Sequence, residues 1–264
     1  MTDPGYPLDH ENLRVEVDGA VVTITLARPE KLNSVTPEMS KALVQVIEWA
    51  DAAHEVRAIV LTGAGERAFC AGSDIRTLDG YATPWEFRNR ADYCDAIRAA
   101  RKPVIAAVNG YAFGGGLETA LSCDIRLAST TASFAAPEIK LGWIGGGGMS
   151  TFLTRSVGPS NAAVMLMTGD PIDAETGLRW GLVSELVEPA ALVARAKELA
   201  AVIATRPPIA AETAKANLRA AANMSQDESI RYERDLQAIT FATADADEGR
   251  AAFAEKRAGT FHRR

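Results

Sequence analysis

The residues best suited to chemistry lie in one short stretch, residues 109–118, which holds three consecutive glycines and ends in a carboxylate. The apolar run at residues 104–108 precedes it and predicts a buried strand. The residues that follow predict the first turns of a helix. A helix N-terminus presents free N–H groups and a partial positive charge, and glycine lets another group approach the backbone closely. The stretch therefore suits an oxygen that becomes an anion during a reaction.

Gly115 and Glu118 are separated by a helical rise of about 4.5 Å, at about 1.5 Å per residue. One short segment can therefore offer an N–H donor and a carboxylate to a single small substrate. The alternative is a glycine-rich turn followed by a glutamate whose charge favours the helix dipole.

A second acid, Glu138, resembles Glu118 in its surroundings. Leu117 and Leu121 flank Glu118, and Pro137 and Ile139 flank Glu138. Apolar walls raise the pKa of a carboxyl group, so one glutamate can act as a proton donor near neutral pH while the other stays ionised. The alternative for Glu138 is an exposed turn residue.

Several other kinds of site are disfavoured by motif and spacing. The cysteines and histidines form no CxxC pair or Cys/His cluster, so no metal site or disulfide framework is expected. No GxSxG elbow positions a nucleophilic serine. The second glycine run, residues 145–148, lacks the Lys-Ser/Thr ending of a phosphate loop. Gly63, Gly65 and Ala68 mimic a dinucleotide fingerprint, but a small-residue loop follows where a helix must begin.

Composition narrows the class of protein further. The 264 residues are 47% hydrophobic and 23% charged, enough for a sizeable core. A net charge of −6 disfavours a general nucleic-acid binder. No long apolar segment predicts a membrane span, and the polar start at residues 1–5 lacks the order of a signal peptide. We expect a soluble, cytoplasmic protein.

The elements that must position these residues alternate between strands and helices up to about residue 190. A hairpin with an Asp18-Gly19 turn comes first, and Thr36 then caps a helix that begins with Pro37. We predict further strands at residues 56–61, 104–108, 124–128 and 182–187. We predict helices at residues 84–100, 149–156, 160–168 and 173–180, and we interpret residues 133–142 as a loop. From Pro189 onward the pattern predicts only helices, with breaks at residues 207–208, 224–225 and near 245.

Three motifs, in order, carry a family resemblance. Residues 69–75 (FCAGSDI), the glycine stretch ending at Glu118, and residues 133–142 (SFAAPEIKLG) resemble the signature segments of the enoyl-CoA hydratase/isomerase (crotonase) family. The resemblance extends over nearly the whole chain, including the Arg28-Pro29 loop and residues 252–257. It implies an α/β fold: a spiral of ββα units over residues 1–190 with a helical trimerisation region over residues 191–264.

The resemblance also implies a role for individual residues. The backbone N–H groups of Ala71 and Gly115 would form an oxyanion hole for an acyl-CoA thioester, and Glu118 and Glu138 would activate water and move the α-proton. Coenzyme A would arrive as part of the substrate, with no separate cofactor and no metal. The positions expected to contact it are Lys31, Leu32, Ala71, Gly72, Ser73, Asp74, Ile75, Gly115, Phe253 and Lys256. The expected assembly is a homotrimer or a dimer of trimers, with no nucleic-acid or membrane partner.

Departures from the family pattern leave alternatives open. Gly145 stands where hydratases of the family often carry proline, Met149-Ser150 replaces Gly-Thr, and Trp143 is bulkier than usual. Residues 178–181 weakly resemble the carnitinyl-CoA dehydratase branch. The leading hypothesis is a 2-enoyl-CoA hydratase. The alternatives are an enoyl-CoA isomerase or specialised dehydratase on the same scaffold, and a non-catalytic CoA-binding oligomeric protein.

Overall fold

The computed structural model describes residues 10–264, without the side chains of residues 78 and 79. The prediction for residues 1–5 lies outside this range. The strands are β1 Leu13–Asp18, β2 Val21–Leu26, β3 Ala58–Gly63, β4 Ala68–Cys70, β5 Val104–Val108, β6 Tyr111–Phe113, β7 Ile125–Ser129, β8 Ser133–Ala135, β9 Ile172–Asp173 and β10 Glu185–Val187. The α-helices are α1 Pro37–Ala52, α2 Pro84–Arg88, α3 Tyr93–Ala99, α4 Gly115–Ser122, α5 Met149–Thr168, α6 Ala174–Arg179, α7 Leu192–Ala204, α8 Pro208–Ala221, α9 Gln226–Phe241 and α10 Ala244–Glu255. Turns of 3-10 helix occur at Pro29–Lys31, Ile75–Gly80, Pro137–Leu141 and Pro189–Ala191.

A six-stranded sheet in the order β1-β2-β3-β5-β7-β10 forms the centre of the molecule. The predicted hairpin pairs β1 with β2 antiparallel, and Gly19 takes the positive φ of 56° that the turn requires. The other neighbouring strands run parallel. All residues of β3 and β5 are buried, as expected for apolar runs covered on both faces.

A second sheet, in the order β4-β6-β8-β9, carries the chemically interesting loops. Three successive units place a strand in the large sheet, the next strand in this small sheet, and then helical structure: β3-β4, β5-β6 and β7-β8. This repetition confirms the predicted ββα spiral. The prediction that residues 133–142 form a loop is wrong, because β8 and a 3-10 helix occupy them.

Four other predicted bounds differ from the structure. The helix predicted at residues 84–100 is two helices, because Asp92 starts α3 anew by accepting a bond from the Cys94 N–H at 2.9 Å. The strand predicted from residue 182 begins at Glu185, since the Leu182 N–H donates to Gly177 and closes α6. The strand predicted at 56–61 lies at Ala58–Gly63. The predicted division near residue 158 is a kink in α5, where Gly158 has φ 78° and Pro159 follows.

Helix α7 packs on the large sheet, so the first helix beyond residue 190 belongs to the body. Leu192, Ala196 and Ala200, at a spacing of four, are buried against Val60 and Ile105. The later helices are more loosely covered: every residue of α9 is at least partly exposed. No helix within residues 10–264 is apolar over a length that would span a bilayer.

We expect Gly116→Ala to destabilise the fold. A Cβ at this position would lie 1.8 Å from the Cys70 carbonyl oxygen, and neither backbone can retreat from a helix packed on a strand. Alanine would favour the helix by about 1 kcal/mol, but overpacking costs roughly 1–3 kcal/mol or more, so the clash should dominate. Urea unfolding followed by circular dichroism measures the difference. Gly80→Ala, where a Cβ meets nothing within 4 Å, is the control and should be neutral.

Candidate active site

The glycine stretch forms the start of α4, as the sequence predicts. Gly114 has φ 56° and ψ −127°, a conformation that side-chain-bearing residues rarely adopt, and its N–H donates to the Ala135 carbonyl at 3.0 Å. Glu118 lies one turn further on, with its own N–H bonded to the Gly114 carbonyl. β6 and β8 of the small sheet therefore hold the first turn of α4 in place.

Two backbone N–H groups meet at this helix start. A Cβ on Gly72 would be 2.8 Å from the Gly115 nitrogen, and a Cβ on Gly115 would be 3.4 Å from the Ser73 nitrogen. Within the described residues, the N–H groups of Ser73 and Gly115 donate to no protein acceptor. Paired, unoccupied donors at a helix N-terminus have the character of an oxyanion hole.

The prediction of Ala71 as one of these donors is corrected. The Ala71 N–H donates to the Leu32 carbonyl at 3.0 Å and is not available to a substrate. Ser73, two residues later, supplies the free N–H beside Gly115. Sequence reasoning placed Ser73 only among the CoA contacts. No local signal separates the two residues, because the difference depends on which N–H pairs with the loop at residues 32–35.

A loop from the first ββα unit braces this donor pair. The Val35 N–H donates to Gly72 and the Asp74 N–H donates to Val35, at 2.8 and 2.9 Å. Asn33 is fully buried and bonds the Ala64 and Ala68 carbonyls. The structure thus places the predicted residue Leu32 next to Ala71, and Lys31 precedes it in the same loop.

The carboxylate of Asp74, a predicted CoA contact, is already bonded to other groups of the protein. It forms an ion pair with Arg28 at 3.3 Å and caps the Ile75–Gly80 turn.

Phe253 and Lys256 are not among the residues that line the cavity described below. The Phe253 side chain is 87% exposed, and Lys256 ends α10 in a left-handed conformation.

The carboxylate of Glu118 is buried, at 7% exposure, against the second glycine run. Its Oε1 accepts hydrogen bonds from the Gly147 N–H at 2.6 Å and the Met149 N–H at 3.3 Å. A Cβ on Gly145 or on Gly147 would stand 2.7 Å from a Glu118 oxygen. The glycines therefore allow the backbone to enclose the carboxylate. Burial raises the pKa of Glu118, and the bonds from Gly147 and Met149 partly oppose that shift.

Glu138 lies opposite the glycine stretch, on the 3-10 helix that follows β8. Its Oε1 is 2.9 Å from where a Cβ on Gly114 would be, and its Oε2 is buried with no partner in the structure. Burial raises the pKa of Glu138, and the negative charge of Glu118 raises it further. Glu138 is therefore not the exposed turn residue of the alternative interpretation.

Both glutamates and both donors line one cavity of about 490 Å³. Apolar side chains form much of the remaining wall: Ile75, Phe87, Leu141, Trp143 and Ile144. The cavity combines two carboxyl groups of raised pKa with an oxyanion site in an apolar setting. That combination supports proton transfer next to a carbonyl whose oxygen gains negative charge.

Among the residues that the structure describes, no group of three or more His, Cys, Asp or Glu side chains is arranged to hold a metal.

Comparisons with known proteins agree with this geometry. The family described as enoyl-CoA hydratase/isomerase matches residues 16–264. The chain belongs to the enoyl-CoA hydratase/isomerase family. It is 41% identical to a probable enoyl-CoA hydratase of Rhizobium meliloti, covering 97% of this chain and 100% of the relative. It is 38% identical to (E)-benzylidenesuccinyl-CoA hydratase of Thauera aromatica, covering 94% and 97%.

A solved enoyl-CoA hydratase structure from Geobacillus kaustophilus has the same fold. It superposes with a TM-score of 0.90 at 38% identity, covering 96% of this chain and 98% of that one. The ββα spiral described above is therefore the crotonase fold. Within this family, the chain is similar to hydratases over almost its full length.

One residue of this crotonase site was missed in the sequence. Arg98 on α3 donates through Nη1 to the Gly147 carbonyl at 2.6 Å and to Ser122 Oγ at 2.8 Å. Gly147 is also the residue whose N–H binds Glu118. Arg98 thus ties the glycine run to α3 and α4, and it fixes the donor that orients the Glu118 carboxylate. No local motif marks it, because its partners lie 24 and 49 residues away.

We expect Arg98→Met to lower kcat/KM by an order of magnitude or so, since a buried bond of this kind is worth about 1–3 kcal/mol. Without Arg98, the Gly147 N–H would be held less firmly against Glu118. Its hydrogen bond would then lower the pKa of Glu118 less, so that pKa should rise. The limb of the pH–rate profile that reports Glu118 should therefore move to higher pH. Asp95→Asn is the control, because it removes only the exposed partner of Arg98 and should change neither quantity. An unaltered pH profile in Arg98→Met would contradict this positioning role.

Proposed function

We propose that the protein is an enoyl-CoA hydratase that adds water across the 2,3 double bond of a 2-enoyl-CoA to give a 3-hydroxyacyl-CoA. The observation that carries the proposal is the pair of glutamates of raised pKa in one cavity with two free N–H donors. Hydratase names among relatives that span nearly the whole chain support it. The presence of both carboxyl groups favours hydration over isomerisation, for which one can suffice.

In the proposed reaction, the thioester oxygen accepts hydrogen bonds from the N–H groups of Ser73 and Gly115. As water oxygen bonds to C3, the double bond's electrons move toward C2 and the thioester oxygen, and the two donors stabilise the resulting enolate. A proton then enters at C2, and the carbonyl re-forms. The reaction needs no metal and no separate cofactor, since coenzyme A is part of the substrate.

The environments of the two glutamates suggest different roles. Glu118 accepts two backbone N–H bonds, which favour its ionised form, so it acts as the base that takes a proton from water. The unpartnered, buried Oε2 of Glu138 favours a protonated carboxyl, so Glu138 delivers the proton to C2. The resting protonation states are restored when the proton passes between them or through solvent.

Glu118→Gln and Glu138→Gln should each remove most activity, because an amide keeps the shape but cannot exchange a proton. A general acid or base contributes roughly 10²–10⁴-fold, and the double variant should be only slightly worse than either single one, since the two act as a unit. Turnover is read by loss of the conjugated thioester absorbance. In ¹⁸O-labelled water the product should carry label. An unlabelled product together with an active Glu138→Gln variant would point to an isomerase instead.

We also infer an oligomer, a homotrimer or a dimer of trimers. Large apolar side chains on α8, α9 and the segment between them are exposed in the single chain: Leu218, Met224, Ile230, Ile239 and Phe241. Exposed apolar surface of this kind marks protein interfaces. The CoA contacts at Lys31, Leu32, Phe253 and Lys256, and the cytoplasmic location, remain predictions.

Light scattering on the purified protein should give the mass of three or six chains at micromolar concentration. Burial of apolar side chains between subunits is the physical reason. The variant Ile239→Glu with Phe241→Glu should shift the mass toward the monomer, whereas Glu233→Gln on the same helix should leave it unchanged. A monomeric wild-type protein would exclude the predicted assembly.

A further inference from the structure

Arg90 brings a positive charge into the cavity, and the proposed hydration assigns it no contact with the substrate. It lies in the turn between α2 and α3 and lines the cavity together with Glu118 and Gly146. Its side chain is 25% exposed. Among the described side chains, the other charged residues that line this cavity are the two glutamates, so Arg90 is the cationic group there.

Only some of the N–H donors of Arg90 are bonded to the described residues of the protein. Its Nη1 donates to the Phe87 carbonyl at 2.8 Å, and the guanidinium stacks on the Phe87 ring at 4.4 Å. Among the described side chains, its ion-pair partner is Asp92, and the pair is 3.5 Å long, against about 2.7–2.9 Å for a tight charge-assisted bond. Asp92 also caps α3. A guanidinium has five N–H donors, so Arg90 keeps donors for a further acceptor.

Arg98 shows what a structural arginine looks like in the same region. It bonds Ser122, the Gly147 carbonyl and Asp95 through both of its Nη atoms. Arg90 has no such set of partners. The groups facing it are the acidic residues Asp92 and Glu118, the Phe87 ring, and the glycine run, where a Cβ on Gly146 would be 3.8 Å from Nη2. The missing side chain at Gly146 leaves the guanidinium accessible from the cavity.

We propose that Arg90 binds a carboxylate carried by the acyl group, so that the preferred substrates are 2-enoyl-CoA thioesters with an acidic acyl chain. This rests on the proposed hydratase function and names its substrate class. A substrate carboxylate entering a cavity that already holds two glutamates would be repelled, and a cation at the wall offsets that repulsion. The planar guanidinium also matches a carboxylate with two parallel bonds.

The test compares two thioesters that differ only in charge. One is trans-2-hexenoyl-CoA, and the other is its analogue in which the terminal methyl group is replaced by a carboxylate. Wild type should hydrate the carboxylated ester with the higher kcat/KM. Arg90→Gln should lose ~10–100-fold on the carboxylated ester, the range for a hydrogen bond to a charged group, and stay within about threefold on the neutral one. Arg90→Lys, which keeps the charge without the planar fork, should lose less.

The control is Arg88→Gln, an exposed arginine on α2 that stacks on Trp85 and should leave both rates unchanged. Equal losses on both esters in Arg90→Gln would overturn the proposal, since they would show that Arg90 acts on the turn or on Glu118. A wild-type preference for the neutral ester would overturn it as well.

Binding separates this proposal from the hydratase proposal. The saturated forms of the two esters cannot be hydrated, so their dissociation constants, measured by calorimetry, do not depend on turnover. Wild type should bind the carboxylated saturated ester more tightly, and Arg90→Gln should lose that preference. If binding follows this pattern while neither enoyl ester is turned over, only the hydration assignment fails. If wild type binds both saturated esters equally, the role of Arg90 fails whatever the activity.

Discussion

The hydrogen bond from the Gly147 N–H to the Glu118 carboxylate is the interaction on which the rest of the site depends. A carboxylate this deeply buried is costly unless backbone donors reach it, and at 2.6 Å the donor reaches it only because the flanking residues have no side chains. The same bond joins two ββα units, since Glu118 belongs to α4 and Gly147 leads into α5. Glycines at positions 145 and 147 therefore leave room for the buried Glu118 carboxylate.

The two-sheet arrangement explains why such short strands matter. β4, β6 and β8 are three residues long. They bury Phe69 and Phe134 in the core, and they also fix the positions of residues 71–75, the start of α4 and the segment with Glu138. Parallel pairing keeps their ends at one edge of the small sheet. The small sheet therefore adds to the core and also sets the register between the two N–H donors and the two glutamates.

Sequence reasoning reached Gly115, Glu118 and Glu138, because glycine next to a buried strand and acids in apolar surroundings are local signals. It failed where the deciding fact was a long-range pairing. Ala71 and Ser73 are both small and adjacent to Gly72, and only the bond from the Ala71 N–H to Leu32 shows which of the two is free. The segment that holds β8 was predicted as a loop, since a three-residue strand is too short to show periodicity. The role of Arg98 was also missed, because its hydrogen-bond partners lie on elements far away in the sequence.

Helix α4 begins at the cavity with the free N–H of Gly115, and the first N–H of α5, that of Met149, donates to Glu118. Folding fixes these dipoles before any substrate arrives, so they need no rearrangement when negative charge moves from the glutamate to the thioester oxygen. The field that stabilises the enolate thus comes from buried peptide groups rather than from mobile surface charges. Dissolved salt screens exposed charges far more than buried ones. Ionic strength should accordingly affect how fast the anionic coenzyme A thioester arrives, while the chemical step itself stays insensitive to it.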